Sequence, residues 1–256
     1  AFHQSIPARA FHYAVPHELY TQQRVRRYGF HGTSHQYVAG RAAAFLKRAP
    51  ESLNLITLHL GNGASVAAVE RARCVDTSMG MTPLEGLIMG TRCGDIDPAV
   101  HFYLLRETGR SPDELDALFN KESGLKGICG TNDMREVLEK ADAGDERAQL
   151  AIDMYCYRVK KYIGAYTAVL GRVDALVFTA GIGERAAPIR QGCCHGLPGL
   201  GIILDPQKNR AGSRPPFEVQ ATASAVKILV IPTDEELQIA EQTFELIRNR
   251  KETRDG

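Results

Sequence analysis

Between Leu53 and Glu70 the chain reads LNLITLHLGNGASVAAVE, two apolar runs joined by Gly61, Asn62 and Gly63. Leu53, Leu55, Ile56, Leu58 and Leu60 form one strand-length run and Val66 to Val69 the other. An Asn-Gly step between two such runs is the strongest short-range hairpin signal. Two glycines around one asparagine leave backbone N–H groups unshielded, so that they converge as an anion-binding concavity, and His59 stands two residues ahead as a further donor. That arrangement suits a phosphate. An ordinary tight hairpin fits the same residues.

The chain has 256 residues, enough for one large domain or two small ones, and 44% hydrophobic residues supply a substantial core. Lys+Arg 31 against Asp+Glu 30 leaves a formal net charge of +1. This balance points to neither nucleic acid nor an anionic membrane surface, so any ligand charge is handled locally. Six cysteines (Cys74, Cys93, Cys129, Cys156, Cys193, Cys194) lack CxxC spacing, and no leader or long apolar span is evident. Free thiols in a reducing cytoplasm are expected. The chain opens at Ala1 without the signs of a new domain, so its true N-terminus is expected upstream.

Residues 1–28 are interrupted by Pro7 and Pro16 and read as a connector of extended pieces with a brief helix over His17–Gln22. Gly32, Thr33 and Ser34 then precede a helical pattern that ends at Pro50. His31 lies just ahead of this helix, whose N-terminus favours anions. His31 and His35 have the i, i+4 spacing of a metal pair, but no third ligand follows, and a hydrogen-bonding histidine at a turn fits better. A third strand, Arg73–Thr77, leads into SMGMTPLEGLIMGTRCGDIDPAV, a loop rich in Gly and Thr. In it Arg92 stands among small residues. Either it clamps an anion through paired donors, or it forms a salt bridge to Asp95 or Asp97.

Helical patterns follow over 97–108 and 112–120, with Ser111 as N-cap before Pro112. Residues 121–135 read as another glycine-rich loop, and Glu146–Leu170 as a long scaffold helix capped by Gly171. The apolar strand Ala175–Thr179 runs into AGIGE, with a helix expected from about Ala186; a lone GxG is a weak nucleotide signal. The last unit is a strand Lys227–Ile231 and a helix Thr233–Arg248, with Leu237, Ala240, Phe244 and Ile247 on one face. Thr233 and Glu236 make a capping box, which gives the neighbouring Glu235 a structural reason; its alternative role is to bind Mg²⁺. The order of elements predicts a βββαβαβα unit, a mixed sheet covered by helices. The special turns at Asn62, Gly181 and Glu235 fall on one sheet edge, where α/β sheets gather ligands, and a nucleoside triphosphate is the leading candidate.

RRYGFHGTSH (26–35), HLGNGASV (59–66), DTSMGMTPLEGLIMGTRCGDIDP (76–98), ESGLKG (122–127), YIGAYTAVL (162–170), FTAGIGE (178–184) and IPTDEE (231–236) together resemble the acetate kinases, the acetokinase branch of the actin, sugar kinase and Hsp70 superfamily. The resemblance spans nearly the whole chain. It implies an actin-like, ribonuclease H-like fold, with residues 1–50 leading from an amino-terminal lobe into a nucleotide-binding domain over 51–256. It also implies reversible, Mg²⁺-dependent transfer of a phosphoryl group from ATP to acetate, giving acetyl phosphate and ADP. By position in these motifs, His31 and Arg92 are similar to the residues that stabilise the transferring phosphoryl group. His59, Leu60, Gly61, Asn62 and Gly63 resemble a phosphate loop, and Asp133, Met134 and Arg135 an adenine contact. Gly181, Ile182, Gly183, Glu184 and Arg185 resemble an adenosine loop, Glu235 the magnesium-side carboxylate, and Phe30 and Pro83 walls of an acetate pocket.

Cys93 and Arg185 depart from the residues usual in the family at those places. In the family an aspartate essential to catalysis lies a couple of residues upstream of the AFHQ with which this chain opens. The first phosphate loop and a further arginine lie in an amino-terminal lobe, so this polypeptide alone is expected not to turn over. The resemblance further implies a homodimer joined through this domain. Propionate kinase, differing by one methylene in the acyl pocket, and a non-catalytic nucleotide-binding module are the competing readings.

Overall fold

The computed structural model describes residues 2–212 and 214–252. Short helices α1 (Ala8–Phe11) and α2 (His17–Gln23) precede α3 (Gly32–Leu46) and the strands β1 (Asn54–Leu60), β2 (Ala64–Glu70) and β3 (Arg73–Thr77). Helices α4 (Ala99–Thr108), α5 (Pro112–Lys121), α6 (Gly124–Cys129), α7 (Met134–Asp142) and α8 (Glu146–Leu170) lead to β4 (Ala175–Thr179). Then follow α9 (Ala180–Arg185), α10 (Ala187–Cys194), α11 (Pro206–Arg210), β5 (Phe217–Glu218), β6 (Lys227–Val230) and α12 (Glu235–Glu252).

One mixed sheet runs in the order β3-β2-β1-β4-β6-β5. The antiparallel β1–β2 and β2–β3 pairs come from the hairpin sequence, and β4 and β6 add in parallel to β1 through helical crossovers. Alternation along the strands sends Leu58, Leu60, Val66, Leu176, Phe178, Ile228 and Val230 into a large core with Tyr155, Val159 and Ile163 of α8. The opposite face carries Leu55, Val69, Ala175, Val177 and Leu229 against Val38 and Ala42 of α3. Burial of both faces explains why these strands read as continuous apolar runs.

The βββαβαβα order holds, with one addition at the edge. Strand β5 pairs antiparallel with β6 and is too short for its sequence to announce it. Three local expectations are corrected. Residues 121–135 are not one loop: Gly124 in a left-handed conformation starts α6. The segment AGIGER is itself helical, so the helix expected near Ala186 begins at Ala180. Asp234 rather than Thr233 caps α12, its carboxylate accepting the Leu237 N–H at 2.9 Å, while the Thr233 hydroxyl turns to Ser34 at 2.8 Å. Leu237, Phe244 and Ile247 are exposed. In contrast, Ser111 caps α5 and Gly171 caps α8 as their sequences predict; Glu114 completes a capping box with Ser111, and Asp145 caps the start of α8.

Gly124 and Gly130 both have positive φ, but a Cβ on Gly124 would run into the backbone carbonyls of Met89 and Arg92, whereas none would obstruct Gly130. Left-handed strain alone costs about 1–3 kcal/mol. Gly124→Ala therefore lowers the urea midpoint further than Gly130→Ala, and equal shifts would refute the close packing of α6 on the Arg92 loop.

Candidate active site

The turns after β1, β4 and β6 lie side by side because those three strands are parallel neighbours. On the α3-facing side of the sheet, apolar residues give way near this edge to Thr57, His59, Ser65 and Thr179, all buried. The register sets His59 directly across from Ser65 on one side and Thr179 on the other. The N-terminal turn of α3 descends on this polar patch with His31, Ser34 and His35.

The contacts are dense. Ser34 Oγ lies 2.8 Å from His59 Nδ1, and Ser65 Oγ lies 2.9 Å from His31 Nδ1 and 2.8 Å from His35 Nε2. His35 Nδ1 lies 2.7 Å from Thr57 Oγ1. Both ring nitrogens of His35 thus have hydroxyl partners, and the i, i+4 metal pairing with His31 is overturned. The His31 and His59 rings stack with centroids 4.1 Å apart. Burial lowers the pKa of His31 to about 4, with the neighbouring Arg92 adding to the effect, and that of His59 to about 3; His35, wholly enclosed, falls well below its usual value. All three rings are neutral at pH 7.

The Nε2 atoms of His31 and His59 face the hairpin turn. The turn is closed by Gly61 N–H donating to Gly63 O at 3.1 Å and held by Gly90 N–H donating to Asn62 O at 2.9 Å. A Cβ on Gly63 would sit 3.4 Å from His31 Nε2 and 3.5 Å from Arg92 Nη1, so both side chains converge there. The two readings of Arg92 separate here. Asp95 is taken by Tyr162 and Arg158, and among the described residues Arg92 contacts no carboxylate, only Met89 Sδ at 3.8 Å. Its guanidinium faces the turn as an uncommitted cation.

From the turn a cleft of about 480 Å³ runs outward, lined by Gly61, Asn62, Asp133, Met134, Arg135, Gly181, Ile182 and Arg185, with Asn132, Leu138, Ala186 and Pro188. Phosphate-turn, adenine and adenosine candidates from three distant stretches thus share one wall system. Asp133 caps α7 and pairs with Arg135 at 2.6 Å, which lowers its pKa to about 2. Not every candidate lines the cleft. Leu60 points into the core, and Gly183 lets α9 pack closely on Phe178 and Leu58. Glu184 accepts the Thr233 N–H, and Phe30 and Pro83 lie outside the cleft. Glu235, at the first residue of α12, makes no hydrogen bond among the described residues, since Asp234 does the capping.

Several contributors escape sequence reasoning. Asn132 donates to Asn62 Oδ1 at 3.0 Å and so ties the start of α7 to the turn. Arg190, buried, donates to the Gly183 and Glu184 carbonyls at 3.0 and 2.9 Å and fixes the end of α9. The signal for Thr57, Ser65 and Thr179 was present as polar residues in otherwise apolar strands.

The Acetokinase family model matches residues 1–241. Acetate kinase of Syntrophobacter fumaroxidans is 65% identical over 248 residues, covering 97% of this chain and 60% of that protein. The crystal structure of Porphyromonas gingivalis acetate kinase superposes with a TM-score of 0.94 at 43% identity, over 96% of this chain and 62% of that one. The crystal structure of a propionate kinase from Francisella tularensis gives 0.89 at 47% identity, over 94% and 61%. The chain therefore spans about three fifths of the length of the relatives it matches.

Because unfolded histidine titrates near 6.5 and these rings resist protonation until far lower, the unfolded chain binds more protons on acidification, and stability falls with pH. The free energy of unfolding in urea should drop between pH 7 and pH 5, above the range where ordinary carboxylates titrate. A flat or rising profile would refute the neutral, buried state of the imidazoles.

Proposed function

The chain belongs to the acetokinase family, and from that membership we propose that it forms the nucleotide-binding part of an acetate kinase, transferring the γ-phosphoryl group of ATP to acetate with Mg²⁺. The observation that carries this reading is the meeting of His31 Nε2 and Arg92 Nη1 at Gly63, at the inner end of a cleft whose outer walls are Asp133–Arg135 and Gly181, Ile182 and Arg185.

Acetate is already an anion near neutral pH, so the acceptor needs no general base. The barrier lies in bringing a carboxylate onto a charged phosphate and spreading charge over the equatorial oxygens of the transferring group. Arg92 supplies fixed positive charge without a carboxylate to neutralise it. Neutral His31 and His59 supply N–H donors beside the glycine turn, and the turn adds backbone N–H groups. The outer cleft takes the nucleoside, with Asp133, Met134 and Arg135 on one side and Gly181, Ile182 and Arg185 on the other; Gly183 and Glu184 shape α9, and Leu60 contributes backbone only. Phe30 and Pro83 wall the acetate pocket. Glu235 fits the metal side: it follows two residues after Thr233, whose hydroxyl reaches Ser34, it makes no hydrogen bond among the described residues, and Mg²⁺ is held by one or two carboxylates together with substrate phosphates. There the ion neutralises phosphate charge.

In this reading residues 1–50 lead into an actin-like nucleotide-binding domain over 51–256, and the assembly is a homodimer, for which the exposed Leu150, Met154 and Tyr157 on one face of α8 offer a surface. The enzyme works in the cytoplasm, where its thiols stay reduced; among the described residues no helix is long and apolar enough to cross a membrane. The likeness to a propionate kinase supports the longer acyl group as second reading, and kinetics with both acids separate the two.

In the intact enzyme Arg92→Ala should lower kcat for acetyl phosphate synthesis on the order of 10²-fold, as loss of one preorganised charge-stabilising donor does. Near-normal turnover would refute the assignment. Glu235→Ala should raise the Mg²⁺ needed for half-maximal rate more than the acetate needed; an unchanged metal titration would remove Glu235 from the metal side.

A further inference from the structure

We infer that Thr57, His35 and Ser65 are positioning residues that fix the tautomer of His31, placing its single ring proton on Nε2, where it faces the glycine turn as a donor. Ser65 Oγ, with one hydroxyl proton, lies between two ring nitrogens, His31 Nδ1 at 2.9 Å and His35 Nε2 at 2.8 Å. It can donate to only one. Which one depends on the far end of the chain, where Thr57 Oγ1 sits 2.7 Å from His35 Nδ1.

A polarity in which both rings donate to Ser65 leaves the proton of that buried hydroxyl without an acceptor among the described residues, and two others remain. In the first, Thr57 donates to His35 Nδ1, His35 Nε2–H donates to Ser65, and Ser65 donates to His31 Nδ1. In the second every bond reverses. His35 Nδ1–H then donates to Thr57, and the Thr57 hydroxyl proton must find another acceptor. Thr57 is 0% exposed and makes no other side-chain hydrogen bond among the described residues. The second polarity therefore strands a buried donor, whereas the first leaves the polar groups of Thr57, His35 and Ser65 paired. Charging His35 would escape the choice, but His35 is 0% exposed and no carboxylate touches it.

With Ser65 donating to Nδ1, His31 carries its proton on Nε2, the atom nearest Gly63. The reversed chain would instead aim a bare lone pair at the turn and repel an anion. Ser34 stands in the same relation to His59, receiving the Thr233 hydroxyl at 2.8 Å and lying 2.8 Å from His59 Nδ1. The consequence for anion binding rests on the phosphate-turn reading of the Proposed function; the tautomer itself does not.

The test is ¹⁵N-histidine NMR of this chain at pH 7, with His31 identified by His31→Gln. The wild type should show protonated Nε2 and bare Nδ1 at His31, and a protonated Nδ1 would overturn the inference outright. In Thr57→Val both polarities leave one buried group of His35 unpaired, so the bias disappears and the Nδ1–H form should rise about tenfold or more. Ser65→Thr should retain the wild-type signature and Ser65→Ala lose it; an unchanged ratio in both Thr57→Val and Ser65→Ala also overturns the inference. Inorganic phosphate, titrated by calorimetry, separates the two levels. Its affinity should weaken about tenfold in Thr57→Val. A changed tautomer with unchanged phosphate affinity supports the hydroxyl chain and refutes the phosphate-turn reading.

Discussion

The structure depends on keeping a cluster of imidazoles dry, neutral and hydrogen-bonded in the wedge between α3 and the strand ends. An unpaired polar group there costs about 1–3 kcal/mol, and a charged one more. The chain meets this by placing a hydroxyl opposite each ring: Thr57 and Ser65 for His35, Ser65 for His31, Ser34 for His59. Because strands present alternate residues to one face, Thr57 and His59 of β1 both reach the wedge, and register with β2 and β4 adds Ser65 and Thr179. A one-residue slip of β1 would exchange these for Leu58 and Leu60, replacing the polar wedge with core side chains.

Neutral imidazoles also decide where charge resides. A histidinium beside Arg92 would repel it, and the guanidinium is one of the causes that lower the pKa of His31. At Gly63 the permanent cation Arg92 thus stands beside neutral imidazole donors. This division suits a transferring phosphoryl group, whose charge spreads over several oxygens. It also leaves the donor set unchanged across the neutral pH range. Asp95, three residues after Arg92 in sequence, is occupied by Tyr162 at 2.8 Å and by Arg158 at 3.6 Å.

Much of the fold was legible because both sheet faces are buried and the helices carry their own punctuation. β3, β4 and α8 have the bounds their patterns gave, and Asn62 lies at the turn its glycines mark. The failures have physical causes. A two-residue strand such as β5 has no period to detect. Gly124 and Gly181 look like loop residues, yet the first begins a helix from a left-handed backbone and the second sits inside one that Arg190 holds at its end. Thr233 makes a credible capping box in sequence, but Ser34, 199 residues away, claims its hydroxyl. For the candidate site, local motifs pointed to His31, Asn62, Arg92 and the Gly181 turn. The residues that orient them were hidden, since the partner of a buried hydroxyl is set by register between distant segments.

Backbone strain at the same edge argues that the arrangement is held rather than sampled. His31 adopts φ 58° and Ala180 φ 62°, conformations that non-glycine residues avoid, and the two flank the hairpin turn from α3 and α9. Each is pinned by its surroundings. His31 is fixed through Ser65, its stacking on His59, and the 2.9 Å bond from His35 N–H to its carbonyl; Ala180 is fixed by the covalent junction of β4 with α9 and by the buried Arg190 behind that helix. A side chain on Gly63 would fill the space the two elements leave between His31 and Arg92, so the glycine there answers to the gap as well as to the turn. The donors around that gap are thus oriented before any ligand arrives, and their cost of reorganisation is met during folding instead of on binding.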